Sequence, residues 1–279
     1  MIEQDSGKSV CALCGSSEAE TMEKSSGYRT LKCTNCGLVY VSPVPSKKFL
    51  ETAYSNAYYT PWLNEQREAR IRIWKERLET LNTTTGEGRG KLLDVGSAEG
   101  LFLELAKADG WEVAGTEISA FAADYGKDTL GLNIFHGELA DAAFPDKAFD
   151  AVTLWHVLEH TTGPLSVLRE IRRIVKDDGI LILALPNLDN KVMQIAYRLV
   201  KGKARLLFSP EDRELHLYHF NKETIQKALE KTGFEVVKTI PDRGICDRKI
   251  IFIDAIARAF DGIFGTTTVE ALEIHAKPV

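Results

Sequence analysis

Leu92-Leu93-Asp94-Val95-Gly96-Ser97-Ala98-Glu99-Gly100 joins an apolar run to an acidic residue and then to a turn of small residues. An amphipathic stretch over residues 101–108 follows. This order predicts a buried strand, a tight loop and the start of a helix. Such a junction turns unpaired backbone N–H groups toward a ligand, and its glycines let the backbone approach closely. The next apolar run, 111–115, leads to Glu117. Nucleotide-binding α/β folds place a ribose-binding carboxylate at about this separation. The chemistry suited to these residues is the binding of a nucleoside-bearing cofactor.

Two further groups carry chemistry. Cys11-x-x-Cys14 and Cys33-x-x-Cys36, with eighteen residues between the pairs, have the spacing of a four-cysteine zinc site. Gly15 and Gly37 follow the pairs and allow the turns that aim N–H groups at thiolates. Two disulfides are the other option, disfavoured in a reducing cytoplasm. A closed four-thiolate site has no open coordination position, so its role is structural. The third group is His156, Glu159 and His160 together with His216 and His219. An imidazole can take a proton near neutral pH, and each of these can equally serve as a structural hydrogen-bonding group. Glu159 either orients a histidine or faces solvent. Cys246 stands alone and reads as an ordinary packed or surface thiol.

Counting from Gly96, the dinucleotide template G-x-G-x-x-G needs glycine at 98 and 101, where the chain has Ala98 and Leu101. What stands here is Asp-Val-Gly-x-x-x-Gly. It resembles the first motif of the class I S-adenosylmethionine-dependent methyltransferases, with Ala98 in place of the commonest middle glycine. Pro145, Phe149-Asp150-Ala151-Val152 and His156-Val157-Leu158-Glu159-His160 are similar to the P-x-x-x-F-D-x-V…H-V-L-E-H stretch of the ubiquinone-type O-methyltransferases. The resemblance covers roughly residues 90–279. With the cysteine-rich front end it extends to relatives in polysaccharide and deoxysugar biosynthesis.

The resemblance implies an α/β fold, a Rossmann-like seven-stranded sheet with a small N-terminal zinc ribbon, and S-adenosylmethionine as methyl donor. Glu117 would accept both ribose hydroxyls. Glu138 would take the adenine amino group, and Leu139 would offer its N–H to the ring. Asp94 would lie near the methionine ammonium, acting through a water, with Gly96, Ser97 and Gly100 cradling the amino-acid end. Ile118 and Trp155 fall at the carboxyl ends of strands, where open sheets bind ligands. Glu99 reads as a solvated loop residue. The base for an oxygen nucleophile would come from His160 first, then His219, His156 or His216. The acceptor would be a hydroxyl on a small-molecule or glycan-type metabolite, nucleotide- or lipid-linked. A quinone-precursor O-methyltransferase, an RNA methyltransferase and a non-catalytic cofactor-binding module are the alternatives.

Several elements must position these groups. Candidate strands fall at 91–95, 112–117, 132–136, 148–155, 179–185, 234–240 and 269–276, and the last would insert antiparallel between its neighbours. Residues 1–45 form the ribbon, 46–89 a helical connector, and 90–279 the methyltransferase domain. In the connector, residues 62–82 read as a charged helix with apolar Leu63, Ile71, Trp74, Leu78 and Leu81. Tyr54, Tyr58, Tyr59 and Trp62 belong either to a linker packed on the main domain or to a lid over the cofactor mouth. Thr83-Thr84-Thr85-Gly86-Glu87-Gly88-Arg89-Gly90 reads as a flexible joint.

Composition narrows the partners. Lys and Arg number 35 against 40 Asp and Glu, a net charge of −5, which argues against nucleic acid as partner. No basic-then-apolar leader is evident at Met1-Ile2-Glu3-Gln4-Asp5, and no run nears the ~20 apolar residues that span a bilayer. The expected location is cytoplasmic. Residues 191–205 combine Lys191, Arg198, Lys201, Lys203 and Arg205 with apolar positions and carry no acidic residue. They read as a solvated helix face or as a contact with phosphate or an anionic membrane. Residues 249–264 form a second apolar helix with Asp254, Arg258 and Asp261 on its polar side, for which burial against the sheet is the simpler expectation and a peripheral membrane cap the other.

Overall fold

The computed structural model describes residues 9–54, 58–59, 67–86, 88–242 and 248–279. Trp62, Leu63 and Cys246 lie outside the described residues. At the front, β1 (Ala19–Ser25), β2 (Tyr28–Cys33) and β3 (Val39–Ser42) form an antiparallel meander. Helices α1 (Lys47–Ala53) and α2 (Arg67–Thr85) follow among the described residues. The Ser46 hydroxyl caps α1 by accepting from the Phe49 N–H, which satisfies one of the orphan donors of its first turn.

The α/β part alternates β4 (Lys91–Val95), α3 (Leu101–Ala108), β5 (Glu112–Glu117), α4 (Ala120–Leu130), β6 (Ile134–His136), β7 (Phe149–Trp155), α5 (Pro164–Ile174) and β8 (Val175–Pro186). Then come α6 (Lys191–Lys201), the two-residue β9 (Tyr218–His219), α7 (Lys222–Lys231), β10 (Phe234–Pro241), α8 (Arg248–Phe264) and β11 (Ala271–Pro278). The large sheet has the order β10-β11-β8-β7-β4-β5-β6. Strands β8, β7, β4, β5 and β6 run parallel, and β11 enters antiparallel to both neighbours, as the sequence led us to expect. Its central strands are covered on both faces. Leu92, Leu93, Val152, Leu154, Leu181 and Leu183 are therefore fully buried, which explains runs without strict polar alternation.

One strand escaped the sequence. β9 pairs antiparallel with β3, placing Val39 opposite His219 and Tyr40 opposite Tyr218, so the small sheet has the order β1-β2-β3-β9. Cys11, Leu31, Tyr40, Leu217 and Phe220 share one apolar cluster with the large sheet. A two-residue strand made across some 180 residues leaves no local pattern to read.

Residues 83–85 continue α2 instead of opening a joint. The hydroxyls of Thr83, Thr84 and Thr85 donate back to the carbonyls of Glu79, Thr80 and Leu81, so the threonines stay helical at the exposed end. The helix at 248–264 is not buried against the sheet as the simpler expectation had it. Ala257 and Asp254 are covered, but Phe252, Ile256, Phe260, Ile263 and Phe264 are exposed.

Candidate functional site

At the end of β4 the chain turns through Gly96 (φ +71°), Ala98 (φ +50°) and Gly100 (φ +86°). A Cβ on Gly96 would meet Val157 Cγ2 at 2.5 Å, and one on Gly100 would meet Leu132 Cδ1 at 2.5 Å. Both glycines are fixed by space as well as by backbone conformation. Ala98 adopts the left-handed region that a glycine would occupy at no cost, so the departure from the usual motif is accommodated as local strain of about 1 kcal/mol. The Gly96 and Ser97 N–H groups donate to the Thr116 carbonyl at 2.8 and 3.0 Å, which locks the turn against the end of β5.

Glu117 lies beneath this turn and is buried. Its Oε2 accepts from the Ala98 N–H at 2.9 Å, and its Oε1 accepts from the Ser119 N–H at 2.8 Å and the Tyr59 hydroxyl at 3.2 Å. Burial pushes its carboxyl up, against the pull of those donors. Asp94, also buried, accepts from the Thr153 hydroxyl at 2.7 Å. Desolvation outweighs that bond and the Arg77 charge and pushes the carboxyl up to about 7. Leu139 is buried, Ile118 is exposed, and Glu138 is an exposed carboxylate 3.3 Å from Lys47 Nζ. Ser97 Oγ and Trp155 Nε1 are buried with no hydrogen-bond partner among the described residues. Glu99 is not solvated. It is buried and ion-paired with Arg70 of α2, because that helix packs over the loop.

The histidines gather at the ends of β7 and β9. His160 Nδ1 lies 3.0 Å from the Leu215 carbonyl and 2.8 Å from the Tyr54 hydroxyl. A carbonyl only accepts, so Nδ1 carries a proton, and in the neutral ring the lone pair lies on Nε2. The His160 and His216 rings are 4.8 Å apart, and His219 lies 6.2 Å beyond His216. Burial lowers His216 to about 3 and His219 to about 4, so both are neutral at pH 7. Glu159 is 2% exposed, and neither carboxylate oxygen has a hydrogen-bond partner among the described residues. Its Oε1 sits 3.6 Å from His156 Nδ1 and 3.9 Å from His160 Nε2. Burial alone would raise its carboxyl, but the neighbouring histidines bring it down to about 2.

His156 is tied elsewhere. Its Nε2 lies 2.9 Å from Asp242 Oδ2, and Arg77 Nη2 donates to both Asp242 oxygens at 2.9 Å. Burial opposes the His156 charge, but Asp242 and Glu159 raise it to about 9. Arg77 also stacks over Trp155, 4.4 Å from the ring centre. Asp242, Arg77 and Arg70 were missed in the sequence. Asp242 directly follows β10, so the rule that ligand-facing residues lie at strand carboxyl ends would have found it had it been applied to the late strands.

Tyr54 and Tyr59, five residues apart, link the two regions, one through His160 and the other through Glu117. Tyr58 donates to Glu214 at 3.3 Å. In the ribbon, the Sγ atoms of Cys11, Cys14, Cys33 and Cys36 all lie within 4.8 Å of one another. The 3.5 Å separations of Cys11 from Cys36 and of Cys14 from Cys33 exceed the roughly 2 Å of a disulfide. Four convergent thiols on two glycine-closed turns fit a zinc ion.

A family model described as a methyltransferase domain matches residues 63–239. The chain belongs to this family. It is an S-adenosylmethionine-dependent methyltransferase. A demethylmenaquinone methyltransferase of Staphylococcus saprophyticus is 28% identical over 187 residues, covering 60% of this chain and 78% of its own length. A ubiquinone biosynthesis O-methyltransferase of Haemophilus ducreyi is 32% identical over 136 residues, 45% of this methyltransferase and 56% of the relative. Among solved structures, the magnesium protoporphyrin IX methyltransferase of Synechocystis PCC 6803 with bound SAH superposes with a TM-score of 0.57. It is 16% identical, and the match covers 84% of this methyltransferase and all of that chain. The likeness shows a shared fold. The family's cofactor fits the residues present, since a buried carboxylate underlies the turn and the buried Ser97 hydroxyl within it has no hydrogen-bond partner among the described residues.

Proposed function

We propose that this methyltransferase moves a methyl group onto a hydroxyl of a small-molecule or glycan-type acceptor, with His160 as the base. The observation that carries this is the His160 Nε2 lone pair, held by the Leu215 carbonyl on the opposite nitrogen and one short tyrosine segment away from Glu117. When bound, S-adenosylmethionine supplies an electrophilic methyl carbon on a sulfonium, and the enzyme's part is alignment and proton removal. Gly96, Ser97 and Gly100 hold the amino-acid end beside Asp94, and Glu117 takes ribose hydroxyls. Glu138 and Leu139 meet the adenine, with Ile118 and Trp155 at the flanks. His160 Nε2 would take the acceptor hydroxyl's proton, leaving the oxygen free to receive the methyl group that bound S-adenosylmethionine would supply. Glu159, ionised and buried beneath, stabilises the imidazolium that forms.

His219, depressed to about 4, is a weaker base and serves as the second candidate. His156 holds its proton against Asp242 and keeps Glu159 charged. Tyr54, Tyr58 and Tyr59 act as a lid within a connector of 46–89, between a ribbon of 1–45 and a catalytic domain of 90–279. Cys11, Cys14, Cys33 and Cys36 hold a structural zinc whose four thiolates leave no position for substrate. Four reduced thiols fit a cytoplasmic setting. The relatives named for quinone biosynthesis favour a quinone precursor as a second reading of the acceptor.

The test supplies methyl-labelled S-adenosylmethionine with phenolic and glycosidic acceptors. Label in a methyl ether supports the proposal. Label found only on carbon or nitrogen overturns the assignment to oxygen.

A further inference from the structure

Helices α6 and α8 leave the sheet at one place. α6 starts just after β8, α8 lies between β10 and β11, and the two pack on each other. The Asn187 side chain ties the end of β8 to the carbonyls of Thr267 and Val269, just past α8. No residue of α6 is buried. Its Leu199 and Val200 are 81% and 79% exposed, and Phe252 and Ile263 of α8 are 69% and 75% exposed. An apolar stripe normally makes a surface helix by facing a core. Here much of that stripe faces outward. Large side chains grouped in this way mark a contact surface.

Charge says what the surface meets. Lys191, Arg198, Lys201, Lys203 and Arg205 interleave with these apolar positions, and none forms an ion pair among the described residues. The nearby acidic groups are engaged by neighbouring groups of the protein, including the exposed Asp189, which accepts from Asn221. Asp254 binds Arg258 and the Glu270 N–H, Asp261 binds Thr266 and Thr268, and Glu270 accepts from Asn190. A chain of net charge −5 thus presents one locally cationic, apolar face. No helix among the described residues is long and apolar enough to cross a membrane. Exposed apolar residues with interleaved lysines and arginines are the signature of a helix that lies in the bilayer interface.

We propose that α6 and α8 form a docking surface for an anionic lipid bilayer, with Leu199, Val200, Phe252 and Ile263 entering the acyl boundary and the basic residues meeting lipid phosphates. Both helices follow the carboxyl ends of sheet strands, the same rim at which Asp242 and His156 lie. The surface stands on its own geometry and does not depend on the choice of acceptor.

Vesicle flotation of the full chain tests it. The protein should float with phosphatidylcholine vesicles containing 30% phosphatidylglycerol and stay behind with pure phosphatidylcholine. Leu199→Glu with Val200→Glu should abolish flotation, and both sites are exposed enough for the fold to persist. Arg198→Gln with Lys201→Gln should weaken binding at low salt by about fivefold per charge removed. Absence of flotation on the anionic vesicles overturns the proposal, as does flotation unchanged by both pairs of substitutions. Self-association that the glutamates abolish, without vesicle binding, also overturns it and makes the face a contact between copies.

Discussion

Asp242→Asn probes the buried charge triad that fastens the connector helix to the catalytic edge. The substitution keeps the shape of the side chain and removes its charge. Asp242 is 1% exposed, and its two oxygens receive Arg77 Nη2 at 2.9 Å while Oδ2 also faces His156 Nε2 at 2.9 Å. Burial by itself would raise the Asp242 carboxyl, but Arg77 and His156 hold it far below the usual carboxylate range. Without that charge the Arg77 guanidinium, itself buried, has no counterion at this contact. Removing one partner of a buried pair costs about 3–5 kcal/mol, most of it the penalty on the charge left behind. Urea unfolding at pH 7 should show that loss, with an unchanged slope against denaturant. Combining Asp242→Asn with Arg77→Met should recover most of it, because the guanidinium is then no longer buried without its counterion. The pH dependence has a defined sign. A carboxylate depressed on folding contributes stability above its unfolded pKa of about 4 and loses it as pH falls further. The gap between wild type and variant should therefore narrow below pH 4. A loss under about 1 kcal/mol at pH 7, or a double variant no more stable than the single, would refute the reasoning.

Other outcomes follow from the same structure. His160→Gln should lower kcat by about 10²- to 10⁴-fold while cofactor affinity stays within a factor of two; an unchanged kcat removes His160 as the base. Asp94, pushed up to about 7, must ionise to favour a cationic ammonium. S-adenosylmethionine should then bind more weakly as pH falls from 8 to 6, and Asp94→Asn should flatten that dependence; a wild-type affinity independent of pH contradicts the placement. Metal analysis should find about one zinc per chain. Cys14→Ser should release it and cost about 4 kcal/mol or more, because β3 of the ribbon carries β9. Retention of the metal by that variant would count against the site.

Local chemistry made much of this molecule legible. The bounds 91–95, 101–108 and 112–117 coincide with β4, α3 and β5, because two short buried strands and an amphipathic helix with one apolar face are each bounded by glycines or charged residues. The four cysteines could be paired from spacing alone. Contacts made over long separations could not. Nothing local in the charged helix over 62–82 marks Arg70 or Arg77, yet each reaches a buried carboxylate, Glu99 and Asp242, set far away along the chain. β9 is two residues long and exists because the ribbon offers it an edge. The pattern of 249–264 identified a helix and put Asp254, Arg258 and Asp261 on its polar side, yet Asp254 is buried against Arg258 and the Glu270 N–H while Phe252 and Ile263 face outward.

Calorimetry with S-adenosylhomocysteine tests the central claim most directly. The wild-type chain should bind it at one site, and Glu117→Ala should weaken binding by about 1–3 kcal/mol, the cost of losing charged hydrogen bonds at the ribose. No binding by the folded wild-type protein, or an affinity unmoved by Glu117→Ala, would contradict the assignment of the β4–α3 turn and Glu117 to the methyl donor.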